Sequence, residues 1–246
     1  MKISDFKKSG HAPTLFSAFF YFDISFMVWV LLGPLATFIA DDFKLTDAQK
    51  GFLVALPILG GALLRLVLGA LADRIGAKKT ALIGLTLTMI PLLWGWLAAN
   101  SLAELHFVAL LLGVGGASFA VALPMASRWY LPEQQGLAMG IAGAGNSGTV
   151  LTALFAPRLA QHFGNWHTVF ALALIPVCIA WLVVFVMAKD SPDRMQAKSL
   201  GEYLIVLKQP DTLWFCLFYS ITFGGFVGLA SFLPTFFKDQ YLLDKV

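Results

Sequence analysis

The fold of this chain is decided by a glycine-rich stretch that reads Ala142-Gly143-Ala144-Gly145-Asn146-Ser147-Gly148-Thr149, inside an apolar segment from about residue 136 to 157. In the interior of an exposed helix, glycine costs about 1 kcal/mol relative to alanine, so this run is a poor choice for a helix in water. In a membrane the solvent does not compete for backbone hydrogen bonds, and the missing side chains let a second helix or a small ligand reach the backbone.

Two interpretations of this stretch stay open. One is a packing stripe of small residues, with Asn146 bonded to a neighbouring helix; the other is a ligand contact by Asn146 and the glycines. The stripe would consist of Gly136, Gly140, Gly143 and Ser147.

The composition predicts an all-α integral membrane protein. Hydrophobic residues make up 59% of the chain and charged residues 13%, whereas soluble domains contain about 25% charged residues. A helix needs about 20 apolar residues to cross the hydrocarbon core, and the short alternating segments of a membrane β-barrel do not occur. Seven apolar segments, numbered here as spans 1 to 7, meet this requirement, at about 15–40, 52–72, 80–99, 104–127, 136–157, 166–188 and 212–237.

The lysines and arginines predict the orientation of these spans. Eleven of the 17 lie in the N-terminal tail and in the loops between spans 2 and 3, 4 and 5, and 6 and 7; five lie on the opposite side. Cytoplasmic loops carry the excess of basic residues, so we expect a multi-pass protein of the cell (inner) membrane with a cytoplasmic N-terminus. The net charge of +3 follows from this topology and does not indicate nucleic-acid binding.

Two charged side chains lie within the spans, Asp23 in span 1 and Arg65 in span 2. A charge at this depth must be paired or must face a polar cavity, and arginine cannot lose its proton. An Arg65–Asp23 ion pair is one interpretation. A site for a planar anion is the other, because the guanidinium fork matches an oxyanion with two parallel hydrogen bonds. Asp23 is either a proton carrier or a hydrated group near the cytoplasmic mouth.

The end of span 2 carries a second pattern, which reads Gly69-Ala70-Leu71-Ala72-Asp73-Arg74-Ile75-Gly76-Ala77-Lys78-Lys79. It resembles the loop signature between helices two and three of the major facilitator superfamily. The resemblance implies a gating role without substrate contact, in which Asp73 contacts a helix end and basic partners in one state of the transport cycle. The matching positions are Gly69, Asp73, Arg74 and Gly76. A basic cytoplasmic loop without this role would explain the lysines, but it would leave the spacing of the glycines, the aspartate and the arginine unexplained.

A third pattern resembles the nitrate signature in the fifth helix of the nitrate/nitrite porters. It reads Tyr130-Leu131-Pro132-x-x-x-Gly136-Leu137-Ala138-Met139-Gly140 and continues into the glycine-rich stretch. That family has an arginine in its second helix, matched by Arg65, and aromatic residues that sandwich the flat anion. The resemblance implies a substrate site made of Arg65, Asn146, Gly143, Gly145, Phe119, Tyr219 and Phe223.

The resemblance also implies a domain organisation. Residues 1–188 would form an N-terminal six-helix bundle, residues 189–210 the central cytoplasmic loop, and residues 211–246 the seventh helix and start of an incomplete second bundle. The family has twelve helices, with a second arginine in the eighth and a second Gly-Asn run in the eleventh. We therefore expect this chain to be the first seven helices of a longer protein.

The expected function is secondary active transport of nitrate or nitrite by alternating access, with the site near the membrane midplane. The coupling could be proton symport or nitrate/nitrite exchange. The sequence shows no nucleophile–base pairing, metal-ligand spacing or cofactor motif, so we expect neither an enzyme nor a cofactor. Two alternatives stay open, a facilitator for another small anion or organic acid and an inert truncated fragment. A seven-helix receptor is disfavoured, because its N-terminus would lie outside.

Overall fold

The structure is a computed structural model that describes Phe6, residues 9–192 and residues 200–242. Within these residues all the regular structure is helical, and seven helices are long and apolar enough to cross a membrane. The all-α fold and the predicted number of spans are therefore confirmed. Spans 1 to 7 run over Ala12–Phe43, Asp47–Ile75, Ala77–Leu97, Leu102–Ser127, Pro132–Phe163, His167–Met187 and Pro210–Tyr241.

Some sequence predictions fall outside the described residues. They concern the lysines of the N-terminal tail, part of the central loop predicted at 189–210, and the end of the segment predicted at 211–246. The described part of that loop contains a short helix, Leu200–Val206.

Three of the seven spans are interrupted. Span 1 consists of Ala12–Trp29 and Leu32–Phe43, and span 4 of Leu102–Ala117 and Phe119–Ser127. Span 5 consists of Pro132–Gly143, a 3₁₀ turn at Ala144–Ser147, and Gly148–Phe163.

Proline and glycine account for these interruptions. Pro34 has no N–H to donate to the carbonyl of Val30, four residues earlier, so it weakens the helix where span 1 is broken. In span 4, Gly115 and Gly116 come just before the break at Ser118. In span 5 the dense glycines favour the tighter 3₁₀ turn. At the breaks the backbone remains hydrogen-bonded through tighter turns, as from Leu31 to the Val28 carbonyl and from Ser118 to the Gly115 carbonyl.

Span 1 is the central helix of the bundle. In its most apolar stretch 78% of the residues are buried, whereas in span 7 the value is 11%. Spans 2 and 4 pack against each other through glycine, because a Cβ added to Gly113 would lie 2.5 Å from the backbone of Gly60 and Gly61. Such close backbone contact is typical of helix pairs in membranes.

Span 5 packs against span 1 through two glycines of the glycine-rich stretch. A Cβ added to Gly145 would lie 2.8 Å from the backbone nitrogen of Asp23, and one added to Gly148 would overlap the Asp23 carbonyl. Among the described residues nothing lies within 4 Å of a Cβ added to Gly136, Gly140 or Gly143. The close backbone contact therefore falls on Gly145 and Gly148, and not on the three glycines of the predicted stripe; its fourth member, Ser147, reaches span 1 by a hydrogen bond to Asp23.

Span 7 contacts the other helices mainly through the half that ends at Tyr241. A Cβ added to Gly33 would lie 2.5 Å from the Ser231 carbonyl oxygen. Nearer the end, the Lys50 Nζ lies 2.5 Å from a carboxylate oxygen of Asp239 and 3.2 Å from one of Asp47. An ion pair thus ties the start of span 2 to the end of span 7.

We predict that Gly148→Ala destabilises the folded chain, because its methyl group would overlap the backbone of span 1. Overpacking of this kind costs about 1–3 kcal/mol, and each kcal/mol lowers the unfolding midpoint of a chain of this size by about 2–4 °C. Thermal unfolding in detergent, followed by tryptophan fluorescence, measures the change. Gly140→Ala is the matched control and should leave the midpoint unchanged. Equal midpoints for both variants would show that span 1 does not require glycine at position 148.

Candidate functional site

The guanidinium of Arg65 is the centre of the candidate site. Its Nη2 donates a hydrogen bond to the Gly116 carbonyl at 3.1 Å, and its Nη1 lies 3.4 Å from the Tyr219 hydroxyl. Its central carbon lies over two aromatic rings, 5.2 Å from the centroid of Phe119 and 5.4 Å from that of Phe223. Four of the predicted site residues therefore lie together, and they come from spans 2, 4 and 7.

The three aromatic residues also contact one another. The rings of Tyr219 and Phe223 are stacked, with centroids 4.8 Å apart and an angle of 15° between the planes. The ring centroid of Phe119 lies 6.1 Å from that of Tyr219 and 5.9 Å from that of Phe223, and the Phe119 ring plane is tilted relative to both. Tyr219 and Phe223 are four residues apart, so one face of span 7 carries both rings. Together the three rings form an apolar wall beside the cation.

The interruption of span 4 positions two of these contacts. Span 4 is broken at Ser118. Gly116 lies just before the break, where its carbonyl accepts the hydrogen bond from Arg65, and Phe119 starts the second segment. The glycines of this region let Trp29 approach, because a Cβ added to Gly116 would overlap its indole ring.

Arg65 has spare hydrogen-bonding capacity. Its Nε is buried and, within the part of the chain that the structure describes, has no hydrogen-bond partner. The alternative ion pair with Asp23 does not form in this structure, since the Asp23 carboxylate accepts a hydrogen bond from the Ser147 hydroxyl at 2.6 Å. A cation with one unpaired N–H is available to an anion.

The predicted site residues of span 5 have different surroundings. Asn146 lies in the 3₁₀ turn, half-buried, and its side-chain oxygen has no hydrogen-bond partner among the described residues. Gly143 has open space beside it, whereas Gly145 is buried against span 1. Gly145 packs on the ring of Phe22, and that ring lies 5.6 Å from the ring of Phe119. One aromatic ring therefore lies between the glycine-rich stretch and the Arg65 group.

Span 1 contributes aromatic side chains to the candidate site that were not predicted from the sequence. Trp29 is buried, its Nε1 donates to the Pro57 carbonyl of span 2 at 2.7 Å, and its ring is parallel to that of Phe223 at 6.3 Å. Phe22 and Phe26 are fully buried and extend this aromatic group. The signal was available in the spacing, because Phe22, Phe26 and Trp29 follow one helical face at intervals of four and three residues.

A second polar cluster lies where the gating pattern was found. The Asp73 carboxylate and an Arg128 nitrogen lie 2.5 Å apart, with both side chains about one fifth exposed. Gly76 has a φ of +98°, which favours glycine, and links spans 2 and 3. The Asp190 carboxylate lies over Gly76 and accepts a hydrogen bond from the Lys78 backbone N–H at 2.9 Å. The loop is thus held to the end of span 6 and to the turn after span 4.

The neighbouring start of span 1 belongs to the same cluster. His11 lies against the ring of Trp129 and shares a hydrogen bond of 2.7 Å with the Thr14 hydroxyl. Burial, with a smaller effect of the nearby Lys189 charge, lowers the pKa of His11. This imidazole is therefore neutral at pH 7.

The chemistry that this arrangement allows is non-covalent. Among the described residues no group of three His, Cys, Asp or Glu side chains could hold a metal ion. The groups that converge on the candidate site are a fixed cation, a tyrosine hydroxyl and the faces of aromatic rings. They suit the reversible binding of a small anion with a flat shape.

Comparison with known proteins shows which protein family the chain is related to. The pattern of the Major Facilitator Superfamily matches residues 15–244. The probable nitrate/nitrite transporter NarK2 of Mycobacterium tuberculosis (strain CDC 1551 / Oshkosh) is 39% identical over 244 residues, which cover 96% of this chain and 61% of that protein. The nitrite extrusion protein of Bacillus subtilis (strain 168) is 34% identical, over 89% of this chain and 55% of its own length.

A third relative is the probable nitrate/nitrite antiporter NarK1 of Thermus thermophilus, which is 32% identical over 89% of this chain and 52% of that protein. The chain thus covers between 52% and 61% of the length of these three relatives. Its seven apolar helices fit a multi-pass membrane protein. The chain belongs to the major facilitator superfamily, and the resemblance of its sequence to the nitrate/nitrite porters of that superfamily is confirmed.

Proposed function

We propose that the chain is part of a secondary active transporter that moves nitrate or nitrite across the cell membrane by alternating access. The observation that carries this proposal is the half-buried Arg65 guanidinium, which lies over the rings of Phe119 and Phe223 and whose Nε–H has no hydrogen-bond partner in the described part of the chain. The names of the relatives, which are nitrate or nitrite transporters, support the same substrate. The proposal involves no covalent step and no cofactor.

The contacts of Arg65 favour a small planar anion. The guanidinium attracts negative charge and offers parallel N–H groups to two oxygens of one ligand. Phe119, Tyr219 and Phe223 provide flat faces on which a planar ion can lie, and a bulky or tetrahedral anion would lose that contact. Asn146 would add a further polar contact from span 5, and the open space beside Gly143 would admit the ligand.

Alternating access would require two halves that rock about the site. We assign residues 1–188 to an N-terminal six-helix bundle, residues 189–210 to a central cytoplasmic loop, and residues 211–246 to the start of a second bundle. The gating positions Gly69, Asp73, Arg74 and Gly76 would stabilise one state of the cycle, with the Asp73–Arg128 ion pair as their contact in this structure.

The excess of lysine and arginine in the N-terminal tail and in alternate loops supports a cytoplasmic N-terminus in the inner membrane. The Asp73–Arg128 cluster would then lie on the cytoplasmic side, and the Lys50–Asp239 ion pair on the outer side. The lipid bilayer covers the exposed apolar side chains. Protons are the proposed coupling ion.

We predict that Arg65→Lys abolishes nitrate uptake without loss of membrane insertion. Lysine keeps the charge but lacks the planar fork that matches a planar anion and stacks on aromatic rings. Uptake is measured in cells without their own nitrate transporters that express the complete open reading frame containing this chain. Arg158→Lys is the matched control, since Arg158 is exposed and bonds only to the Leu154 carbonyl of its own helix. Normal uptake affinity in Arg65→Lys would remove Arg65 from the site.

A second prediction separates nitrate and nitrite from other small anions. Unlabelled nitrate and nitrite should each compete with labelled nitrate, whereas sulfate and acetate should not, because a tetrahedral ion or a methyl group does not fit between flat rings. The measurement is initial uptake at a fixed concentration of label. Competition by acetate as strong as that by nitrite would favour a transporter of organic acids.

A third prediction concerns residues 1–246 expressed alone. They should insert into the membrane but show no measurable nitrate binding, because a strongly hydrated anion must recover its hydration energy from several donors. Arg65 offers one fixed charge from one side. Calorimetry on residues 1–246, beside the product of the complete open reading frame, tests this. Saturable binding by residues 1–246 would show that this part of the chain, alone or as an oligomer, forms the whole site.

A further inference from the structure

Asp23 is a buried carboxylate that the proposed substrate site does not use. It lies in span 1, where it is 6% exposed, beside the 3₁₀ turn of span 5. Its Oδ1 accepts a hydrogen bond of 2.6 Å from the Ser147 hydroxyl. The next residue, Gly148, packs against the backbone carbonyl of Asp23. Ser147 itself is exposed, so its hydroxyl lies between the buried acid and the open side of span 5.

No cation among the described residues forms an ion pair with this acid. Within the described residues the ion pairs are Lys50 with Asp47 and Asp239, and Arg128 with Asp73. Arg65, the basic residue deep in span 2, bonds instead to Gly116 and Tyr219. An unpaired carboxylate in a membrane span is costly when ionised, and such groups mark proton pathways.

Few other titratable groups surround Asp23. Within the interior of the spans they are Tyr21 on the same helix, Arg65 on span 2 and Tyr219 on span 7, besides the exposed Cys178 and Cys216. The hydroxyl of Tyr21 is buried at Gly84 of span 3. On spans 3 to 6 the remaining ones lie in the first or last two turns, and they are Lys78, Lys79, Glu104, His106, Glu133, Arg158, His162 and His167.

We propose that Asp23 is the proton-binding site of this transporter, and that Ser147 connects it to the turn that carries the proposed substrate residue Asn146. The proposal rests on the proposed function, because it names the coupling ion of that same transport. A proton from water on one side adds to the Asp23 carboxylate to form a neutral O–H, and the same O–H bond breaks to release the proton to water on the other side. Nothing is oxidised or reduced.

The contact between Asp23 and the glycine-rich stretch makes this coupling possible. Ionised Asp23 accepts a hydrogen bond from Ser147, and so holds the turn that carries Asn146 against span 1. Neutral Asp23 carries a proton on one oxygen and must itself donate a hydrogen bond from that oxygen, so its bonding to the turn changes. Protonation therefore alters the contact between span 1 and the turn next to the proposed substrate residue Asn146.

Electrostatics gives the direction of coupling. A free Arg65 cation stabilises negative charge in the same bundle, including that of an ionised Asp23. An anion bound to Arg65 removes this attraction, so the proton and the anion bind more strongly together than separately. By linkage the effect is reciprocal, and it corresponds to symport of nitrate with a proton.

The test uses proteoliposomes that contain the product of the complete open reading frame and an internal pH-sensitive dye. Two rates are measured, nitrate-driven acidification of the lumen and nitrate counterflow at equal pH on both sides. We expect Asp23→Asn to lower acidification at least about tenfold while counterflow continues, since exchange needs no net proton movement. Asp211→Asn, at the exposed first turn of span 7, is the matched control and should change neither rate.

Two further variants keep the proposal testable if Asp23→Asn does not fold. Asp23→Glu should retain acidification, because it keeps a titratable carboxyl, and Ser147→Ala should shift the pH dependence of acidification while counterflow persists.

Acidification by Asp23→Asn at the normal rate would overturn the proposal, as would an Asp23→Glu variant that folds but moves no protons. Counterflow without acidification in the unmodified protein would also overturn it while leaving the proposed function intact. Absence of nitrate counterflow in the unmodified protein would instead refute the proposed function.

Discussion

The permanent charge of Arg65 inside a membrane helix is the constraint on which the rest of the site depends. A charge at the centre of a membrane helix costs about 2.5–3.5 kcal/mol on insertion scales. A hydrogen bond from a charged group returns roughly 1.5–3 kcal/mol, and a desolvated cation–π contact about 2 kcal/mol. The Gly116 carbonyl and the two aromatic faces are therefore sufficient to hold the cation without a partner acid. The unpaired Nε leaves part of its attraction for a ligand.

The three broken helices are explained by the same requirement. Irregular backbone is tolerated at membrane depth only where protein covers it or where it lines a cavity. Here each interruption adjoins a side chain of the candidate site. Trp29 precedes the break in span 1, Phe119 follows the break in span 4, and Asn146 lies in the 3₁₀ turn of span 5. At the break in span 4 the Gly116 carbonyl accepts the hydrogen bond from Arg65.

Much of this architecture could be predicted from the sequence because membrane helices obey simple rules of length and polarity. The seven spans follow from apolar length, and Arg65 is conspicuous as a charge in an apolar run. Phe119, Tyr219 and Phe223 could be found only through a family resemblance. In a chain with 22 phenylalanines, one that faces lipid and one that faces the core look the same.

The details that were missed depend on tertiary contacts. Pro34 lies next to the break in span 1, whereas Pro57, Pro91, Pro124, Pro157 and Pro176 lie inside helical segments, so proline alone does not locate a break. The glycines of the glycine-rich stretch are chemically identical, and only their neighbours distinguish them. Gly145 supports the backbone of span 1, while Gly143 has open space beside it. That difference arises from where span 1 crosses span 5, and no local pattern records it.

The position of the aromatic pair on span 7 connects the site to the movement of the helices. Span 7 is packed at Val227 and Ser231 and tied by Asp239 to Lys50, whereas the residues from Pro210 to Ile221 are nearly all exposed. Tyr219 and Phe223 lie where the exposed part gives way to the packed part. A tilt of span 7 about its packed end would change the distance between these rings and Arg65 before it disturbed the Lys50–Asp239 contact. A ligand that contacted both the cation and the rings would resist that tilt, and so would link occupancy of the site to the angle of the helix.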